Sequence, residues 1–256
     1  MGSFKRSWLK VVGWAVPAAL LLSPARGSVL PQPGTINYVE GQASVSGQAL
    51  GEKSVGSAKL AASQSLSTHD GRVEMLLTPG IFFRVDAHSS VRMISPGLAD
   101  TVLTIEKGRA MVEVADIRPE NNVRVTEGGE STRLLKAGLY DFDADRGQIR
   151  VFDGEAFVET GGQRIEVKSG RQLNLKATGK LKARKFDKKS YEEGDLFRRS
   201  CLRSGYLAEA NVDAAGVYAV NGWGGTGWWG ADWYWDPWFD PFTFIPGGGI
   251  FYSPFG

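Results

Sequence analysis

Gly222-Trp223-Gly224-Gly225-Thr226-Gly227 reproduces the spacing G-x-G-x-x-G. That spacing cradles a pyrophosphate only where a strand precedes it and a helix follows within a βαβ unit. Here Trp228-Trp229-Gly230 and then Pro237 follow, so no nucleotide is expected to bind. Asp141, Asp143 and Asp145 imitate the opening of an EF-hand loop. That loop requires Gly at its sixth position and Glu at its twelfth, where this chain has Arg146 and Phe152. The three aspartates therefore read as solvent-facing strand carboxylates. His69 and His88 are the only histidines, and neither has metal-ligand spacing with Cys201. Neither G-x-S-x-G nor H-E-x-x-H occurs. With no convergent acid, base or nucleophile, the chain reads as non-enzymatic, with no cofactor and no metal.

The other chemistry on offer is aromatic. Six of the eight tryptophans lie between Trp223 and Trp238. Trp223, Trp228, Trp229, Trp233, Tyr234, Trp235, Trp238 and Phe239 form a candidate binding surface, set among Gly, Asp and Pro. Gly and Pro interrupt every run, so residues 212–256 make a tail rather than a regular core. Its rings are costly to leave in water. The tail can fold back over the rest as an ordered arm, stack on the sugar rings of glycans, or mediate attachment to another envelope component.

The elements that must carry this tail are strands. In Leu66 to Ile94, Val73, Met75 and Leu77 alternate with Arg72, Glu74 and Leu76. Ile81, Phe83 and Val85 resume the period after Thr78-Pro79-Gly80, and Val91 and Met93 repeat it. Alternation with turn chemistry between the runs predicts antiparallel strands with one buried face. Phe83 belongs to that face. Arg84 belongs to the opposite one, where Arg84→Asp is expected to be tolerated. The rhythm continues from about Gly34 to Ala177, with strand spacing that predicts a mainly β domain, a sandwich or β-roll of many short strands. A basic connector, Lys180 to Lys189, follows. A single helix is then expected over Ser190 to Asn211, with Ser190 and Glu193 as a capping box and Phe197, Cys201 and Leu202 on its inward arc. Cys201, the lone cysteine, reads as part-buried.

The N-terminus has a different composition. Lys5, Arg6 and Lys10 precede the short apolar run Val11 to Leu22, and Ala25-Arg26-Gly27 offers small residues to a signal peptidase. The run contains Pro17 and is shorter than the roughly 20 residues a spanning helix needs. Export with cleavage after Gly27 is expected, so that only an uncleaved signal or a partner would tie the chain to a membrane. The four basic residues of this segment mask the charge of the rest, which carries 26 basic against 28 acidic residues. A near-neutral chain offers nothing to nucleic acid.

The order of features in residues 34–176 resembles the FecR domain, the periplasmic part of the ferric-citrate signalling regulator and its relatives. The residues that carry the resemblance are a strand pair near Gly34 to Ser46, Leu66-Ser67-Thr68, the Asp70-Gly71 turn and Ser89-Ser90-Val91. Gly138-Leu139-Tyr140-Asp141-Phe142 and Ile149 to Ala156 complete it. The resemblance implies a jelly-roll-like pair of sheets and a sensing, binding or scaffold role in the periplasm or outer envelope. In that family a cytoplasmic segment controls a sigma factor. About ten residues precede the apolar run here, so direct sigma regulation is not expected, and the partner is an envelope protein. The alternative is a glycan-binding or adhesive envelope protein that uses the aromatic tail.

Overall fold

The computed structural model describes residues 31–220, 232–236, 238–246, 253 and 255. The signal-like segment 1–27 and Trp223, Trp228 and Trp229 lie outside the described residues. In chain order the strands are β1 Thr35–Glu40, β2 Ala43–Val45, β3 Gln48–Ala49, β4 Ser65–Thr68, β5 Arg72–Leu76, β6 Ile81–Val85 and β7 Ser90–Pro96. They continue with β8 Asp100–Lys107, β9 Arg109–Val114, β10 Asn122–Glu127, β11 Glu130–Leu134, β12 Gly138–Asp143 and β13 Gln148–Asp153. β14 Glu155–Thr160, β15 Gln163–Lys168, β16 Arg171–Asn174 and β17 Arg184–Lys185 complete this set. Helices α1 Lys188–Glu192 and α2 Asp195–Val220 come next, and then the hairpin β18 Asp232–Trp235 and β19 Phe242–Ile245.

The strands form a sandwich, as their period-two pattern predicts. One sheet has the order β1-β5-β6-β9-β12-β13-β16-β17 and the other β15-β14-β11-β10-β8-β7-β4-β2-β3. Val73, Met75, Phe83, Val85, Val112, Tyr140 and Phe142 of the first sheet meet Leu66, Val91, Leu103, Val125 and Val158 of the second in one continuous core. Nearly all pairings are antiparallel. The exception is β8 with β10, which run parallel, because the chain crosses to the first sheet as β9 and returns before β10 begins.

Turn and joint residues hold the strands in register. The Thr68 hydroxyl donates to the Asp86 carbonyl at 2.6 Å and accepts from the Ser89 amide at 2.9 Å, tying β4 to β7. The Tyr140 hydroxyl donates to the Lys136 carbonyl at 2.5 Å and accepts from the Glu155 amide at 3.1 Å. Gly138 has φ +153°, and a Cβ there would lie 2.2 Å from the Asp153 carbonyl oxygen, so only glycine lets β12 begin.

The first sheet is covered on its outer side as well. Leu76 and Phe82 pack there under Leu207, Trp233, Phe242 and Phe244, and Met111, Leu139 and Phe152 pack under Leu196. The α2 helix and the β18–β19 hairpin thus form a third layer. This overturns the expected solvent face: Glu74, Arg84, Glu113, Asp141, Asp143 and Arg150 are all buried, Arg84 at 5% exposure. The Asp141 carboxylate accepts from Arg109 at 3.0 Å and from Arg150 at 2.5 Å, and the Arg150 guanidinium lies 4.1 Å from the centre of the Tyr191 ring. Asp145 is exposed.

The helical region departs from its sequence pattern in a related way. Asp187 caps α1 by accepting from the Lys189 amide, and Ser190 sits inside that turn. Gly194 intervenes, and α2 runs on past Asn211 to Val220. Its inward arc is Leu196, Ser200, Ser204, Leu207 and Asn211, while Cys201 and Leu202 are exposed. Two of its polar residues face inward because they find partners there, Ser204 on the Glu113 carboxylate of the sheet and Asn211 on the Phe244 carbonyl of the hairpin. Among the described residues no helix is long and apolar enough to cross a membrane.

Candidate binding surface

The base of the third layer is an ionic cluster between two apolar patches. Arg84 on β6 donates from Nε to Glu74 on β5 at 2.8 Å, and its Nη1 lies 2.6 Å from Glu113 on β9. The second contact is off the hydrogen-bond axis, so it is chiefly Coulombic. From α2, Arg203 donates to Glu74 at 3.0 Å and the Ser204 hydroxyl donates to Glu113 at 2.8 Å. Two guanidiniums and two carboxylates leave the cluster neutral. Burial alone would raise Glu74, but the Arg203 and Arg84 charges and the Asn37 amide outweigh it and hold its carboxyl below the ordinary range. Burial wins at Glu113, whose carboxyl is pushed up.

Asn37 fastens the hairpin. It lies where the register of β1 shifts against β5. There its side chain pairs with both backbone groups of one residue: Nδ2 donates to the Phe242 carbonyl at 3.0 Å and Oδ1 accepts from the Phe242 amide at 2.7 Å. The same Nδ2 lies 2.9 Å from Glu74 Oε1. Further along, Asn211 on α2 donates to the Phe244 carbonyl at 2.5 Å and Thr243 donates to the Leu207 carbonyl at 2.9 Å. Asn37→Ala should loosen the hairpin at a cost of about 2 kcal/mol, since two buried backbone groups lose their partners. A red shift of tryptophan emission together with a lower urea midpoint checks this.

On this base the aromatic residues divide by depth. Trp233 is buried edge-on against Phe82, with ring centres 5.0 Å apart, and against Phe244 at 5.8 Å. Trp235 is half-buried against Phe242, and the Gly56 backbone lies so close that a Cβ there would be 2.7 Å from the indole. Tyr234 is half-buried. Asp236 turns the chain between β18 and β19 by accepting from the amides of Trp238 at 2.8 Å and Phe239 at 3.1 Å. Phe239 meets the Tyr206 ring edge-on at 5.2 Å, and its carbonyl accepts from the Tyr206 hydroxyl at 2.7 Å. Trp238, at the tip, is 81% exposed.

The sequence pattern missed Tyr38 and Tyr206, which extend this surface from β1 and α2. The Arg203 guanidinium lies between them, 4.8 Å and 5.2 Å from the two ring centres. Burial and the nearby Glu40 carboxylate raise the Tyr38 hydroxyl pKa, so the ring stays neutral. The result is a ledge of Tyr38, Tyr206, Phe239 and Trp238, supported from below by buried ion pairs. The Tyr38, Tyr206 and Phe239 rings are already held and the Trp238 backbone is fixed by Asp236, so the ledge offers apolar area at reduced entropic cost. Among the described residues no group of His, Cys, Asp and Glu could hold a metal ion. His88 and Asp70 make an exposed contact at 3.4 Å, far from the ledge in sequence.

No family model matches the chain, and no curated protein does. Two crystal structures of a "putative anti-sigma factor" from Parabacteroides distasonis ATCC 8503 superpose on it in part. Each has 15% identity and a TM-score of 0.42; the overlap covers 50% and 51% of this chain and 63% and 65% of those chains. The chain thus spans less than two thirds of the length of the structures it resembles. An overlap of that extent defines no activity.

Proposed function

We propose that this chain is an exported, non-catalytic FecR-like module that binds a protein partner of the cell envelope through the ledge of Tyr38, Tyr206, Phe239 and Trp238. The observation that carries this reading is the exposed Trp238 ring on a support fixed by Asp236, Tyr206 and the ionic cluster beneath. The residues that resemble the FecR pattern fit the same reading, since Thr68, Gly138 and Tyr140 each hold a strand joint. The basic start, short apolar run and small residues before Ser28 support export.

A second reading is glycan binding. The same exposure of Trp238 favours it, because a free indole face can stack on a sugar ring. Capture from envelope extract, with purified glycans as competitors, tests both. Trp238→Ala should weaken capture by about tenfold or more, as truncation of an aromatic anchor does, and should leave the urea midpoint unchanged. Competition by glycan assigns the surface to sugar. Capture unchanged by Trp238→Ala refutes the ledge as the binding surface.

A further inference from the structure

The nine-stranded sheet ends in β15, whose outer backbone edge bonds to no other strand among the described residues. The hairpin that leads into β15 fixes which amides face that edge. Gly161 and Gly162, with φ of +53° and +73°, form a two-residue turn between Thr160 and Gln163. Such a turn pairs the flanking residues directly, so Gln163 bonds back to β14, and alternation sends Ile165 and Val167 the same way. The Ser169 amide, next in that series, donates to the Gly154 carbonyl at 3.0 Å, which agrees. Arg164, Glu166 and Lys168 therefore direct their amides and carbonyls outward. Their side chains share the solvent face of the sheet, whereas Ile165 and Val167 pack toward the core.

An open edge of this kind pairs readily with another strand, and the side chains of β15 specify which one. About a two-fold axis centred on Ile165, Arg164 stands opposite Glu166 of a second copy, and the reverse pair forms across the axis. Both residues of each pair have outward-facing backbone groups, so the ladder bonds and the charges agree. Centring on Glu166 would oppose two carboxylates and set Arg164 against Lys168. Centring on Arg164 would oppose two guanidiniums. Centring on Val167 would join Glu166 to Lys168, but it pairs only residues 166–168 of β15, whereas the Ile165 register pairs 163–167 and joins Arg164 to Glu166 on both sides of the axis.

We propose that two copies of this chain associate edge to edge through β15, in the Ile165-centred antiparallel register, into one continuous sheet. Glu166 is 3.1 Å from Lys168 in the single chain, an exposed contact that the cross-strand Arg164 can replace. The ledge lies on the other sheet, so the two surfaces act independently.

Sedimentation equilibrium of the full chain, at concentrations up to about 100 μM as a weak interface requires, should show a mass approaching twice that of the monomer. Arg164→Glu and Glu166→Arg should each reduce the chain to a monomer while leaving its circular dichroism intact. The doubly exchanged variant should dimerise again, as should an equimolar mixture of the two single variants. A wild-type chain that stays monomeric, or a dimer indifferent to the single exchanges, overturns the proposal. Single variants that dissociate without rescue by the double exchange or the mixture overturn the register.

Discussion

Arg84→Asp should leave the protein unfolded at neutral pH. The substitution removes the guanidinium that lies 2.8 Å from Glu74 and 2.6 Å from Glu113 and puts a third carboxylate between them. All three positions are buried. Breaking a buried ion pair by removing one partner costs about 3–5 kcal/mol, and the added like charge increases that. Domains are stable by only about 5–15 kcal/mol in total. Arg92→Asp is the control: Arg92 sits at the surface with Glu106 at 2.7 Å, and losing such a pair costs roughly 1 kcal/mol or less. Urea unfolding followed by circular dichroism separates the two. An Arg84→Asp protein with a near-normal midpoint would show that α2 and the hairpin do not cover this face.

Glu127→Gln should stabilise the protein, and increasingly so as pH rises. Glu127 ends β10, is fully buried, and both its carboxyl oxygens lack partners among the described residues. Burial, with a further contribution from the Asp141 and Asp143 charges, pushes its pKa up to about 8. Below the unfolded pKa of about 4.3 both states hold the proton, and titration of the group leaves stability unchanged. Between there and about 8 the unfolded chain ionises while the folded one stays protonated. Stability then falls by about 1.4 kcal/mol per pH unit. Above about 8 both states are ionised and the loss levels off. The amide variant has no such titration. At pH 4 it should match the parent to within about 1 kcal/mol, and at pH 8 it should exceed it by about 3 kcal/mol or more. Urea midpoints at pH 4, 6, 8 and 9 give the comparison; parallel pH profiles would refute a protonated Glu127.

The sandwich was legible in the sequence because an alternating pattern needs no distant information. Val73, Met75, Phe83 and Val85 specify one face of their strands, and turn residues specify where those strands stop. The same pattern misplaced Arg84 and Asp141, since a charge at an alternate position reads as solvent-facing whether or not another layer covers it. The α2 helix shows the same limit. Ser200, Ser204 and Asn211 look like its exposed side until Glu113 and the Phe244 carbonyl are found beneath the inward arc.

The ledge was half legible. A dense run of aromatics marked Trp238 and Phe239 as candidates. Their sorting into a buried Trp233 and an exposed Trp238 depends on Phe82, distant in sequence, and Tyr38 and Tyr206 come from two further elements. Local alternation, turn chemistry and composition are short-range properties, so the sequence by itself determined the strands, their core face and the aromatic character of the tail. Which face a third layer buries, and which carboxylates meet which guanidiniums, only the tertiary structure decided. Ion pairs join residues up to 159 positions apart, as Glu40 and Arg199 are, and hydrogen bonds up to 205, as between Asn37 and Phe242, and both depend on where α2 and the hairpin come to rest.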